Sequence, residues 1–269
     1  MNRALLVGIN NYPQQPLRGC VNDVSDMADF LVAKCGFALG EIRLLVDERA
    51  TKDAIIERLG WLLTGLRSGD RVLFHYSGHG VQLPTRNPQG EVDGLDEAIC
   101  PVDFDWNDLH TIRDKDFNKL FLNIPNGVEF VWVSDSCHSA DLSKEILNPD
   151  ISKRIKSMIP PIDINWRLKT AKKNKIASKG FNKVATELNL ALISGCKSDQ
   201  TSADDVFDNK ANGALTYFLL QQLNAATGLT QTLTALVKNI NLVMHNRRYD
   251  QKPQLEGSST IKSKPFLKT

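Results

Sequence analysis

The sequence predicts an α/β fold, a three-layer α/β/α sandwich around a mostly parallel central sheet. Three observations predict it. Short apolar, β-prone runs recur at 4–9, 42–47, 71–77, 128–135 and 190–195. Segments with helical apolar periodicity separate several of them. Strands that alternate with helices are joined by crossovers, so they run parallel with helices on both faces. In open sheets of this kind ligands bind beyond the carboxyl ends of the strands.

ALLVGI (4–9) reads as a buried strand, closed by the turn signal Asn10-Asn11-Tyr12-Pro13. Asn22 or Asp23 is a candidate cap for a helix to about Cys35. Val24, Met27, Phe30 and Leu31 share its apolar face, and Gly36 stops it. IRLLVD (42–47) is the next strand. Thr51 caps a helix with Ile55, Ile56, Leu59, Leu62 and Leu63 on one face. RVLFHYS (71–77) runs into Gly78-His79-Gly80, and a loop through Pro84, Asn87, Pro88, Gly90 and Gly94 follows. AICPVD (98–103) reads as a short extended piece, and Asp114 as the cap of a helix to about Leu122. VEFVWVSD (128–135) and LALISG (190–195) complete the strands; 212–224 and about 229–247 read as helices.

Residues 148–187 differ. They hold Pro149, Pro160 and Pro161 and the basic run RLKTAKKNKIASK (167–179), which contains no acid. That composition predicts an exposed, mobile connection. The expected organisation is one domain over 1–269, with a first part (1–147), this linker (148–187) and a smaller second part (188–269).

A net charge of +2 gives no electrostatic commitment to nucleic acid or membrane. There is no run of 18 apolar residues and no signal-peptide pattern at the start. Cys20, Cys35, Cys100, Cys137 and Cys196 are scattered and odd in number. A disulfide framework is thus not expected, and a reduced, cytoplasmic protein is.

The chemistry gathers at two strand ends. VWVSDSCHSA (131–140) carries a strand into Asp135 and Cys137, and His79 follows another strand between two glycines. A thiol attacks as the thiolate, and an imidazole beside it lowers its pKa and can then protonate a leaving group. If the two strands are neighbours, His79 and Cys137 emerge at one edge. The amides of Gly80 and Cys137 could then face a developing oxyanion. A lone buried cysteine is usually an inert small hydrophobe; the pairing with His79 favours chemistry. A zinc site from His75, His79, Cys137 and His138 is a weaker alternative, because His75 lies within a strand and His138 points away from Cys137 in an extended chain. No cofactor is expected. GINNYP (8–13) lacks the glycines that cradle phosphates.

HYSGHG (75–80) followed by DSCHSA (135–140) resembles the caspase-like cysteine peptidases, of metacaspase and orthocaspase type. LLVGINNYP (5–13), LRGCVNDV (17–24), DGLDEAICPVDF (93–104), SGCKSDQTSAD (194–204), NGALTYF (212–218) and QKPQLEGS (251–258) are similar to further blocks of that family, in the same order. The resemblance implies the caspase-haemoglobinase fold, with Cys137 as nucleophile and His79 as general acid/base. It implies that Asp135, Asp23, Cys20 and Ser77 line the pocket for the substrate residue before the scissile bond. Two carboxylates there favour Lys or Arg by charge pairing; a helix N-cap is the other reading of Asp23.

The expected partners are protein or peptide substrates with Arg or Lys before the cut, and a regulatory protein; no nucleic acid or membrane is expected. The resemblance further implies a monomer and self-processing after a Lys or Arg in 167–179. It also places a calcium site near Asp96 and Asp114. Here the position before Asp114 is Arg113 and the family's acidic position seven after Cys137 is Lys144, so the site is degenerate and activity is expected to be calcium-independent. A catalytically silent interaction module is the competing expectation.

Overall fold

The computed structural model describes residues 1–85, 95–138, 153–173, 189–197 and 200–267; the side chains of 171–173 are excepted. Its centre is a six-stranded sheet. The strands are β1 (Asn2–Gly8), β2 (Ile42–Val46), β3 (Arg71–Ser77), β7 (Glu129–Asp135), β9 (Ala191–Ser194) and β12 (Gln254–Glu256). They lie in the order β12-β9-β7-β3-β1-β2, all parallel except β12 on its edge.

Alternation along each strand makes the layers. Leu5, Val7, Val72, Phe74, Phe130, Trp132 and Leu192 enter one core, with Ile55, Leu59, Phe117 and Phe121 from α2 (Lys52–Leu63) and α3 (Asp114–Phe121). Ala4, Leu6, Leu73, Val131, Val133 and Ile193 enter the other, against α1 (Cys20–Cys35), α5 (Ala214–Asn224) and α6 (Leu233–Asn246). This is the three-layer sandwich that the strand and helix alternation predicts.

Two helix ends follow the sequence. Thr51 accepts from Ala54 N at 3.3 Å, and Gly36 takes φ 68 with its N–H donated to Leu31 O. Two expected caps do not form. The first helix begins at Cys20 behind Gly19, so Asn22 and Asp23 lie inside its first turn; Asp23 is buried and bonded elsewhere. Asp114 is the first residue of α3; the cap is Arg113, whose N–H donates to Asp116 Oδ2 at 3.0 Å.

Two small sheets fall outside the expected elements. One is antiparallel: β4 (Gly80–Pro84), β5 (Leu95–Ile99) and β6 (Ile112–Arg113). The extended piece expected at 98–103 thus ends at Ile99, and much of the expected loop is β4. The other joins β8 (Arg154–Ile155), β10 (Ala203–Phe207) and β11 (Lys210–Gly213).

The stretch read as an exposed connection, 148–187, is ordered in the part described. β8 lies within it, Lys156 is fully buried, and Ile162–Lys173 is helix α4. The reason is charge: a lysine that meets buried carboxylates has cause to be inside. The remainder of the basic run, 174–179, lies outside the described residues. A four-residue helix, α7 (Ser259–Lys262), lies near the carboxyl end.

Candidate active site

The sheet register decides the site. β3 and β7 are neighbours, with Ser77 paired to Asp135. His79 and Cys137 each come two residues after that pair, so both emerge at one carboxyl edge. β1 flanks β3 on the other side, and the chain beyond it brings Tyr12 and Gln15 against His79.

His79 is held on three sides. Its Nε2 lies 2.7 Å from Gln15 O. A carbonyl only accepts, so Nε2 carries the proton and Nδ1 keeps its lone pair. Its backbone N–H donates to Tyr12 Oη at 3.1 Å, and Tyr76 Oη donates to its carbonyl at 2.7 Å. Burial lowers its pKa to about 4, against the Gln15 carbonyl, which raises it; the charge of Lys156 lowers it further. The imidazole is therefore neutral near pH 7. Cys137 is buried, and its Sγ donates to Gln200 O at 2.8 Å. The Cys196 thiol donates to the same carbonyl at 3.3 Å. A hydrogen bond with Cys137, then burial, holds Cys196 well above the ordinary thiol range.

The two amides expected to face an oxyanion do converge on one oxygen. Gly80 N–H and Cys137 N–H donate to Lys156 O at 3.0 and 3.1 Å. Gly80 must be glycine here, because a Cβ would stand 2.6 Å from Cys137 O and 2.8 Å from His138 Nδ1.

The expected pocket residues also come together, around the side chain of Lys156. Its Nζ lies 3.1 Å from Asp135 Oδ1, 3.3 Å from Asp23 Oδ2 and 2.8 Å from Ser77 Oγ. The Lys156, Asp23 and Asp135 side chains are all fully buried. Each carboxylate has further donors. Asp23 accepts from Ser77 Oγ at 2.6 Å, Asn212 Nδ2 at 3.0 Å and Gly213 N at 2.9 Å. Asp135 accepts from Ser202 Oγ, Thr216 N and Thr216 Oγ1 at 2.8–2.9 Å.

Burial pushes Asp23 up to about 7; Lys156 lowers it and Asp135 raises it. Burial pulls the Lys156 ammonium down, but Asp135, Asp23 and Asp204 outweigh it and hold the group above the ordinary lysine value. Burial likewise pushes the Cys20 thiol up, so it lines the wall as a neutral group.

Sequence reasoning missed several parts of this pocket. Gly213 is its floor: a Cβ there would meet Lys156 Nζ at 2.0 Å and Asp135 Oδ2 at 2.2 Å. Ser202, Asn212 and Thr216 orient the two carboxylates, and Asp204 adds a third negative charge. All lie in the blocks SGCKSDQTSAD and NGALTYF, which carried a signal of family but none of role. Tyr12 and Tyr76 were also legible only as turn and strand residues.

Several residues of the alternative metal readings take other partners among the described residues. His75 bonds Thr216 Oγ1 through Nε2 at 3.1 Å. Burial lowers His138, and Glu97 with the carbonyls of Ala98 and Val81 acts against that burial. At the degenerate calcium position two cations already hold Asp96: Arg113 Nη1 at 2.8 Å on Oδ2 and Lys115 Nζ at 2.9 Å on Oδ1. Arg113 Nη2 also reaches Asp108 Oδ1 at 2.6 Å. Asp114 accepts from Lys115 N at 2.8 Å. No group of three or more metal-ligating side chains occurs among the described residues. Lys144 lies outside them.

Comparison with known proteins bears on the same surface. The caspase domain of the C14 peptidases matches residues 1–264. Metacaspase-1 of Meyerozyma guilliermondii is 32% identical over 290 residues, covering 95% of this chain and 69% of that protein. Metacaspase-1 of Scheffersomyces stipitis is 31% identical, over 95% of this chain and 70% of its own length. A crystal structure of protein GSU0716 from Geobacter sulfurreducens superposes with a TM-score of 0.70 at 28% identity, over 100% of this chain and 98% of its own. Caspase-1 from Spodoptera frugiperda shares the fold, with a TM-score of 0.56 at 11% identity over 95% and 86%. The chain belongs to the caspase-domain family of cysteine peptidases.

Proposed function

We propose that this peptidase cuts proteins or peptides after Arg or Lys, with Cys137 as nucleophile and His79 as general acid/base. The observation that carries the reading is the seating of Lys156. A lysine side chain fills the acidic pocket while its own carbonyl oxygen receives both amides, the placement a substrate residue needs. In the proposed reaction the Nδ1 lone pair of His79 takes the thiol proton, and Cys137 Sγ adds to the carbonyl carbon. The oxyanion stays on the amides of Gly80 and Cys137. His79 then protonates the departing amine, and water hydrolyses the thioester. The Gln15 carbonyl fixes the tautomer that leaves Nδ1 basic.

Calcium independence belongs to the same proposal. Arg113 and Lys115 stand against Asp96 where a divalent ion would need carboxylates free. A monomer is the proposed state, as the family resemblance implies. All five cysteines are free thiols, which supports a reducing compartment such as the cytoplasm.

Hydrolysis of fluorogenic peptides ending in Arg, Lys or Asp tests the reading, with wild type and Cys137→Ala, in calcium or in EGTA. Arg and Lys peptides should be cut, Asp peptides spared and Cys137→Ala silent. Asp cleavage, or full activity in Cys137→Ala, would overturn it. Silence in every arm would favour a module that acts only with a protein partner.

A further inference from the structure

We propose that Asp205 and Tyr249 form a second cation site, which takes a Lys or Arg of the substrate three residues before the one at which it is cut. The proposal deepens the reading above. It rests on the proposed preference for Arg or Lys at the cut and adds a preference for a second basic residue further back.

Strand β10 links the two sites. Just before it, Ser202 serves the acidic pocket: its carbonyl accepts from Lys156 N–H at 3.0 Å and its Oγ donates to Asp135 at 2.9 Å. Ala203 and Asp204 then pair antiparallel with Ile155 and Arg154. One step further, the same register sets Asp205 opposite Lys153. Side chains alternate along a strand, and directly opposed residues share a face. Asp204 therefore turns the other way, where it accepts from Arg18 N and Gly19 N at 2.7 and 2.8 Å. Asp205 is left to meet a side chain three residues from the one in the acidic pocket.

Asp205 and Tyr249 are built to receive a cation. The Asp205 side chain is only 9% exposed. Its Oδ1 accepts from Val206 N–H at 2.8 Å and its Oδ2 from Tyr249 Oη at 2.6 Å. The Tyr249 ring is fixed in turn: it lies 6.2 Å from Phe207 and 5.6 Å from Phe218, and its backbone N–H donates to Met244 O at 3.0 Å. A carboxylate beside a fixed aromatic face attracts an ammonium or guanidinium twice, through its charge and through the ring quadrupole.

Lys153 shows which chemistry the site accepts. Its Nζ stands 3.8 Å from Asp205 Oδ2 and 4.8 Å from the centre of the Tyr249 ring. An ion pair at that distance on an open surface contributes little. The buried carboxylate, the fixed ring and the register with the acidic pocket set this pair apart. The Lys153 side chain is 42% exposed, so the site opens to solvent and a substrate side chain can enter there. An arriving substrate displaces Lys153 from this site as it displaces Lys156 from the first.

The test uses the full chain and four-residue peptides that carry the fluorogenic group on a terminal Arg. The first residue is Lys, Arg, norleucine or Glu, and one further peptide has its Lys moved a place nearer the cut. Lys or Arg in first position should raise kcat/KM over norleucine by about five- to tenfold, the combined worth of an exposed cation–π contact and an ion pair, and should do so through KM. Glu should fall below norleucine, and the displaced Lys should lose the gain. Asp205→Asn should bring the Lys-to-norleucine ratio close to one, and Tyr249→Leu should lower it. A salt titration of wild type needs no variant: the ratio should shrink as ionic strength rises. A wild-type ratio near one, a ratio indifferent to salt, or a ratio unchanged in Asp205→Asn overturns the proposal. Cleavage after Arg without preference in first position sinks this proposal alone. If no Arg or Lys peptide is cut, the proposed specificity falls and takes this one with it.

Discussion

Asp23→Asn isolates the charge of the pocket from its shape. Asparagine keeps an oxygen to accept from Gly213 N–H, now at 2.9 Å, but turns a neutral amide toward the ammonium that lies 3.3 Å away. At an effective dielectric constant of about 20, a unit pair at that distance attracts by about 5 kcal/mol. Desolvation of the incoming cation cancels part of this, and a hydrogen bond to a charged group leaves about 2–3 kcal/mol net. The expected loss in kcat/KM for Arg and Lys peptides is therefore about 30- to 150-fold, at about 1.4 kcal/mol per factor of ten. A norleucine peptide of similar reach supplies the control, because it fills the pocket without charge. The readout is the ratio of Arg to norleucine kcat/KM. Lys156 keeps Asp135 at 3.1 Å, so the variant should still fold. Circular dichroism on heating checks that. If kcat/KM falls equally for both peptides, or not at all, the pocket is not selecting charge through Asp23 and the reasoning fails.

Three other outcomes are expected. Arg-peptide kcat/KM should fall as pH drops through the range where Asp23 takes up a proton and the pocket loses a negative charge, a range that burial raises and that rises further once Lys156, which lowers it, leaves the pocket; the norleucine peptide should lack this limb, and so should Asp23→Asn. Tyr76→Phe removes the donor to His79 O at 2.7 Å and should lower kcat by about fivefold with KM little changed, for about 1 kcal/mol of lost positioning. Arg113→Ala should leave activity insensitive to EGTA. It strips one of two cations from buried Asp96, so Tm should fall by about 5–10 °C on loss of about 3 kcal/mol, measured calorimetrically.

The strand ends were legible because their pattern is local. RVLFHYS and VEFVWVSD each declare a buried strand, and in a parallel sheet the residues after them must share an edge. The sequence alone therefore places His79 and Cys137 at one edge. Where a residue's role depends on a distant partner, local patterning is silent and only the family resemblance points to it. Asp23 looks like a helix cap because local patterning records only its neighbours, whereas its hydrogen-bond partners are Ser77, Asn212, Gly213 and Lys156. Gly213 reads as part of a helix over 212–224, whereas it ends β11 just before that helix; only the packed pocket shows a lysine ammonium where its side chain would be. The small antiparallel sheets escaped because β6 and β8 are two residues each, too short for alternation to register.

Lys156 was the hardest residue to see, and the reason lies in the charge of the pocket. Lysines in proline-bounded basic stretches are usually solvated, so composition sends this one outside. Inside, Asp23, Asp135 and Asp204 act together on one ammonium. Carboxylates gathered in low dielectric are unfavourable unless a cation answers them or protons neutralise them. Lys156 is that cation here, and in the proposed function the substrate's Arg or Lys takes its place during turnover. The charge that selects an external substrate is thus the charge that holds Lys156. Any change that weakens selection for Arg or Lys, as Asp23→Asn should, must weaken the grip on Lys156 as well. Loss of specificity and faster hydrogen exchange of the Lys156 amide should therefore rise together across a series of pocket variants. A variant that showed one without the other would show that the two occupants are held by different parts of the cleft.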